Sequence, residues 1–408
     1  MALSRFTTYI GLALDLVNAQ LSASIAAAAT ALPLTNVNDY STVLTTTGSS
    51  YSAIIIDGPL TETVTCTTQL SAGTIHCVAT ANAHSIWTYI VFQLTSALGP
   101  TAYIPLESWK PSDTYEQLYD TAVVGSLVDN RGAVAGVRTG TIDMTGAFFA
   151  DTFGYFLGGV MGAEDYSAGT PSLHKFSVNN NVVQSAVNVE VAQPPRYLVY
   201  NYDAYNTRIF SGRFTDLAVT FDPKQLLKFS TKFLSRASGV VANPTKNFTA
   251  ITPLPSWYGT ASINSVAVGK VLSADITWAR SEVEAIPTLD SKQDPWDIYL
   301  GALSTKGKMV LVFDDDTQQT LYYNETQPPV TLTFARPATG TVTAGLAVQM
   351  TQCNYEKADV VQQGKAYVTN EVQFAGLANA TDATTAGGGI STSLVTLSNA
   401  VASATTYT

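Results

Sequence analysis

Few residues of this chain are of a type that does chemistry. There are three histidines, His76, His84 and His174, and three cysteines, Cys66, Cys77 and Cys353. Cys66, His76, Cys77 and His84 are the one cluster that suggests a soft metal. Tetrahedral zinc takes two short-spaced ligand pairs. Here His76 and Cys77 are adjacent in a strand-like run, so they point to opposite faces. Ordinary strand residues account for the cluster better than a zinc site. Cys66 and Cys77 also flank Ser71-Ala72 symmetrically, which sets them opposite each other if a tight turn lies between. That leaves a bridge open, but a small odd count argues against a disulfide framework, and buried small thiols are the expected state.

The carboxylates give no stronger signal. Asp314, Asp315 and Asp316 stand together at the end of a strand-like run, and hard cations favour oxygen clusters. Their spacing lacks the glycine and terminal glutamate of a calcium loop, and a solvated turn is the simpler reading. Asp294 and Asp297 flank Trp296 as an acid pair for sugar chemistry would, but nothing fixes the separation such a pair needs. A loop with a buried tryptophan is the simpler reading there. Asn247, Asn324 and Asn379 head glycosylation sequons, which mean little without secretion. No phosphate-binding glycine loop, zinc-binding helix or nucleophile elbow is present. The expectation is therefore a protein with no catalytic residue, no cofactor and no metal.

The elements around these residues are strands. The chain has 408 residues, 46% hydrophobic but only 13% charged, with a net charge of −10. Threonine, alanine, valine, serine and glycine fill the gap, a mixture that suits pleated positions. A neutral polar surface of this kind suits repeated subunit contacts. No basic patch for gripping phosphates is visible. The start of the chain resembles a leader only superficially: its positive region is Arg5 alone, and Asp15 breaks the apolar run. No run of 18 apolar residues occurs, so no membrane-spanning helix and no membrane insertion are expected.

Residues 1–30 read as an Ala/Leu-rich arm, partly helical. Residues 31–95 read as a small β module with turns at Asp57-Gly58 and Ala72-Gly73. Residues 96–370 read as the β body. Asp151 is placed to cap a short helix that turns Phe153, Phe156 and Leu157 inward, and 317–326 reads as a second short helix. Residues 371–408 form an Ala/Thr/Gly-rich terminal arm, ordered only if it lies on a neighbour.

The clearest pattern lies in 214–236. Leu217, Val219 and Phe221 alternate with polar residues, and so do Leu227, Phe229, Thr231 and Phe233 after a break at Asp222-Pro223-Lys224-Gln225. A period of two puts each set on one face of a strand, and Asp-Pro starts turns well. The segment predicts a long hairpin with Leu217, Val219, Phe221, Leu227, Phe229 and Phe233 on the core face and Lys228 and Lys232 on the wet face.

The stretch PPRYLVYNYDAYNTRIFSGRFTDLAVTFDPKQLLKFSTKF resembles the tail tube (major tail) proteins of long-tailed, non-contractile bacteriophages. Pro194, Pro195, Tyr197, Asp203, Arg208, Gly212, Leu217, Phe221, Leu226, Leu227 and Phe233 occupy the places of that family's pattern. Pro171–Asn180 resembles its His-Phe strand start. Phe374–Val401 is similar to its closing segment, particularly in phages of actinobacteria. Gly58–Val91 resembles a small β module of phage structural proteins.

The resemblance implies a mainly β tail-tube sandwich or barrel with one or two short helices, plus the extra N-terminal β module. It implies a structural, non-enzymatic subunit of the virion tail that is assembled in the host cytoplasm. Six-subunit rings would stack into a hollow conduit for genome delivery. The implied partners are other copies of the chain, the tail terminator, tape-measure and distal tail proteins, and double-stranded DNA that passes without tight binding. Lys228 and Lys232 would face the lumen or an adjacent subunit and pair with its acids, leaving an acidic lumen that repels phosphates. The rival expectation is a tail-tip host-adhesion or carbohydrate-binding β module.

Overall fold

The computed structural model describes residues 9–14, 18–34, 51–57, 60–71, 74–86, 88–93, 100–120, 132–184, 189–191, 193–202, 206–249, 251–289, 293–336, 344–362, 367–402 and 407. It is mainly β, with two short α-helices among the described residues. Two large sheets pack face to face over one core, and a six-stranded sheet stands beside them.

The 12-stranded sheet is organised around the strand Thr207–Phe221. Its first half pairs with Tyr197–Tyr202 and its second half with Val271–Arg280. On its other side it pairs with Lys228–Arg236, which in turn pairs with Gly132–Ala147. Gly212 sits where these pairings change over, opposite both Tyr197 and Ser235. A Cβ on Gly212 would lie 2.0 Å from Leu234 O, so only glycine permits the backbones to approach this closely.

The seven-stranded sheet runs from Gly162–Ser167 to Val266–Val268 and includes Leu394–Asn399 as an inner strand. The two sheets share the core, where Phe221 stacks on Phe334 with ring centroids 4.3 Å apart. Trp278 is fully buried and donates to Ser393 Oγ at 3.0 Å. The helix Gly154–Met161 lies in this core and is buried on every side, as its all-apolar sequence requires. Phe153, Phe156 and Leu157 are buried. Asp151 is not its cap: Phe153 holds that position without a side-chain bond. The Asp151 carbonyl instead accepts from Tyr407. At the other end, Arg280 donates to Val160 O and Met161 O, which satisfies the last carbonyls with a cation at the negative end of the dipole.

Both chain ends differ from the arms the sequence suggests. Tyr9–Leu14 is not helical: it is a strand of the large sheet, between Tyr197–Tyr202 and Ala102–Ile104. Asn18–Gln20 and Ala31–Pro33 join the six-stranded sheet, whose order closes through a Leu21–Leu34 bridge into a small barrel. The module is thus an insertion between two paired strands of the body. It has its own core, and its outer residues Ile54, Ile56, Tyr89 and Val91 pack on Ala13, Leu198, Tyr200 and Ile209 of the large sheet.

At the other end, Thr369–Gly376 is an inner strand of the large sheet and Leu394–Asn399 an inner strand of the second. Tyr407 is fully buried, packs edge-on against Tyr155 and His174, and accepts from Asn399 at 2.9 Å. The described residues of the C-terminal segment, 371–402 and 407, therefore fold on their own subunit.

Candidate assembly surfaces

The hairpin forms from Thr207–Phe221 and Lys228–Arg236. Its turn is an Asx turn: Asp222 Oδ1 accepts from Lys224 N, and Asp222 O accepts from Gln225 N. Leu217, Val219, Phe221, Leu227, Phe229 and Phe233 are all buried. The opposite face is wet and carries charges in register. Lys110, Asp143, Lys232 and Asp216 stand side by side across four strands, and Asp275 lies opposite Lys308 two strands further on.

These charges neutralise one another locally. Lys228 meets Glu107 at 2.9 Å, Lys306 meets Glu356 at 3.0 Å, Lys308 meets Glu371 at 2.9 Å and Lys357 meets Asp359 at 2.7 Å. Lys228 thus finds an acid on its own chain, and Lys232 stands in register between Asp143 and Asp216. Partial burial raises the Asp216 carboxyl despite the neighbouring Lys232. The hydrogen bond from Lys308 holds Glu371 low. The net acidity of the chain is not gathered on this face, which is mixed in sign.

A second feature is an arm that sequence reasoning missed. Ser108–Asp120 and Gly132–Ala147 pair along their length. Up to Thr139 the hairpin is flanked by Lys228–Arg236, and beyond it the two strands pair with no third strand among the described residues. Tyr115, Leu118, Tyr119 and Val134 are exposed there, Val134 at 69%. The base of the arm is braced. Arg138 makes a two-pronged contact with Asp294, at 2.5 and 2.7 Å, and its N–H donates to Gln293 O. Asp113 accepts from Ser238 N and Oγ.

At the other end of the sheet, beside the Asp222 turn of the hairpin Thr207–Phe221/Lys228–Arg236, lies an apolar cavity of about 330 Å³ between the two sheets, lined by Phe221, Pro223, Val268, Leu332 and Phe334 among others. Trp257 stands at its rim, 60% exposed, with its ring tilted against Tyr258 at a centroid distance of 3.8 Å. Arm and cavity thus occupy opposite ends of one strand direction, with a strand of roughly 50 Å between its ends at about 3.4 Å per residue.

The residues weighed for chemistry are engaged elsewhere. Asp294 is held by Arg138 and Asp297 by Arg196 at 2.5 Å, and Trp296 is 42% exposed where a buried tryptophan was expected. His76 is exposed while Cys66 and Cys77 face the module core. His84 is clasped by Asp57 at 3.0 Å and Glu62 at 2.6 Å. Burial lowers the imidazole pKa, but the two carboxylates outweigh it and the net shift is upward. Glu62 also accepts from Ala81 N and Asn82 N, and its pKa is lowered on balance against its burial. Asp314 pairs with Lys270, and Asp315 turns back to Thr317 N. No group of three or more metal-ligating side chains is arranged around a common point among the described residues, and no helix among them is long and apolar enough to cross a membrane.

The described residues thus form a β-sandwich with a braced projecting hairpin and a mixed-charge sheet face. The chain belongs to the phage tail tube protein family, whose model matches residues 120–378. That span begins at the end of the strand Ser108–Asp120 and leaves out the inserted barrel. No curated protein matches the chain. Membership makes the chain a structural part of the virion tail that assembles with itself and with other tail proteins.

Proposed function

We propose that this chain is the repeating subunit of a siphophage tail tube, forming six-membered rings that stack into a conduit for the genome. The observation that carries this reading is the polarity of the subunit. An exposed apolar arm leaves one end of the strand direction, and an apolar cavity with an exposed tryptophan opens at the other. A contact between unlike ends is head-to-tail and open-ended, which yields a filament. Its exposed apolar residues are those a stacked neighbour would cover.

The wet face of the large sheet is the proposed lumen wall. Its lysines are each set against a carboxylate, so a passing duplex meets few free cations and releases few counterions. Lys228 and Lys232 line that wall in this reading, and DNA slides over it without being held. Terminator, tape-measure and distal tail proteins would meet the ends and interior of the tube, and assembly would take place in the host cytoplasm before release. The tail-tip adhesion reading, which draws on the small β module and the Trp/Tyr content, has less support, because the family match over residues 120–378 is to tail tube proteins.

Electron microscopy of the purified protein at rising concentration tests the proposal. Tubes or rings of uniform width are expected. Monomers at every concentration, including after addition of a preformed tail-tip complex, would overturn it.

A further inference from the structure

We propose that Cys66 and Cys77 are a latent crosslink of the inserted barrel, closed by a disulfide-class oxidant once the particle has left a reducing cytoplasm. The two residues are register partners across the hairpin Glu62–Ser71 and Thr74–Cys77. The hydrogen bonds identify the kind of pair they make. Val78 N donates to Thr65 O at 2.8 Å, one residue outside the pair on each strand, while Cys77 N turns away to Thr30 O at 3.0 Å. This is the non-hydrogen-bonded type of antiparallel pair, in which the Cα atoms stand about 4.5 Å apart and the side chains approach most closely. A disulfide spans Cα separations of about 4.4–6.8 Å, so the bond needs rotation of two side chains and no movement of the strands.

Both thiols are free and buried, and both belong to the barrel core beside Val64 and Ile75. Burial pushes the Cys66 thiol up to about 12 and, less strongly, raises that of Cys77. They are therefore poor nucleophiles in the closed barrel. Cys77 is the more accessible at 8% exposure, against 0% for Cys66, and reacts first. The Cys77 thiolate attacks one sulfur of oxidised glutathione and expels a glutathione thiolate. Cys66 then attacks the mixed disulfide at Cys77 and expels the second. Two thiols lose two protons and two electrons, and one glutathione disulfide becomes two glutathiones. Cys353 is buried in the body core and has no such partner.

The full-length protein is incubated with reduced or oxidised glutathione, warmed to just below its melting point so that the barrel opens transiently. It is then quenched in acid, unfolded, alkylated with a maleimide and analysed by intact mass and peptide mapping. Oxidation is expected to lower the number of alkylated thiols from three to one, the survivor being Cys353, with a 66–77 linked peptide and no retained glutathione. Cys66→Ser should instead hold a glutathione adduct at Cys77. Three alkylated thiols after oxidation, a stable glutathione adduct on the wild-type chain, or links between chains would each overturn the proposal. The crosslink is independent of ring assembly, so failure of the tube reading leaves this result intact.

Discussion

Replacing Leu118 and Val134 by alanine tests the arm as the stacking contact. The two side chains are 52% and 69% exposed in the isolated subunit. Full burial of such a residue contributes about 1.5–3 kcal/mol, so covering the exposed portion contributes about 1 kcal/mol each. The pair is then worth about 2 kcal/mol per subunit contact, roughly a thirtyfold change in its equilibrium constant. A ring of six repeats the loss at every contact, so a ring joins the tube by about 12 kcal/mol less if the contacts add. Folding should be almost untouched, because neither side chain packs on the body, and a surface change of this kind stays within about 0.5 kcal/mol. The assay is the concentration at which tubes first pellet, with electron microscopy of the pellet. The double variant is expected to raise that threshold beyond the reach of the wild type, with an unchanged melting temperature. Val78→Ala, an exposed valine on the inserted barrel, serves as the control and should leave the threshold where it was. An unchanged threshold in the double variant would refute the reasoning.

Four further outcomes are expected. His84→Ala leaves Asp57 and Glu62 facing each other in a largely dry site and should destabilise the barrel by about 3–5 kcal/mol, read as faster hydrogen exchange across 62–77. The His84 pKa is raised by folding, so its contribution is complete below its unfolded value near 6.5 and is lost as pH rises through the folded value. The Glu62 pKa is lowered, so its contribution is lost as pH falls through its folded value, and the protection factors of the wild-type barrel, corrected for the intrinsic pH dependence of amide exchange, should be greatest between these limits. Gly212→Ala forces a Cβ against Leu234 O and should cost several kcal/mol, enough to lower the denaturant midpoint clearly, whereas Gly132→Ala, with nothing within 4 Å, should not. Tyr407→Ala removes a fully buried ring and its bonds to Asn399 and Asp151 O; a loss of about 3–5 kcal/mol is expected, and a melting temperature unchanged from the wild type would show that the C-terminal segment does not close the core.

The hairpin was legible because its two faces meet different media, and that contrast writes a period of two into the sequence. The projecting arm is the opposite case. From Tyr115 to Asp120 and from Gly132 to Ala135 every residue is exposed within the subunit, so no face is buried against the body and no alternation of apolar and polar residues marks it. The start of the chain misleads by composition: Ala and Leu favour helix, yet Tyr9–Leu14 has a strand waiting on each side, and tertiary pairing overrides propensity. The C-terminal segment misleads in the same way. Its small residues suggest disorder, but they are small because the backbone runs close to others there, as at Gly387, where a Cβ would meet Ser177 Oγ at 2.3 Å. The short helices were visible from their apolar and turn residues, and the mainly β character from the strand-rich composition, whereas the sandwich was implied only by the family resemblance.

The place where the barrel enters the body has an evolutionary and practical consequence. The chain leaves the large sheet along Tyr9–Leu14 and returns along Ala102–Ile104, and Leu12 stands opposite Ala102. Departure and return are adjacent, so whatever lies between them can change without re-threading the tube. The body treats that stretch as a socket for cargo. A tail could exchange one such passenger for another, or an engineer could graft a foreign domain there, with one condition. The newcomer must bring its own apolar patch to cover Leu198, Tyr200 and Ile209, which the present barrel keeps dry.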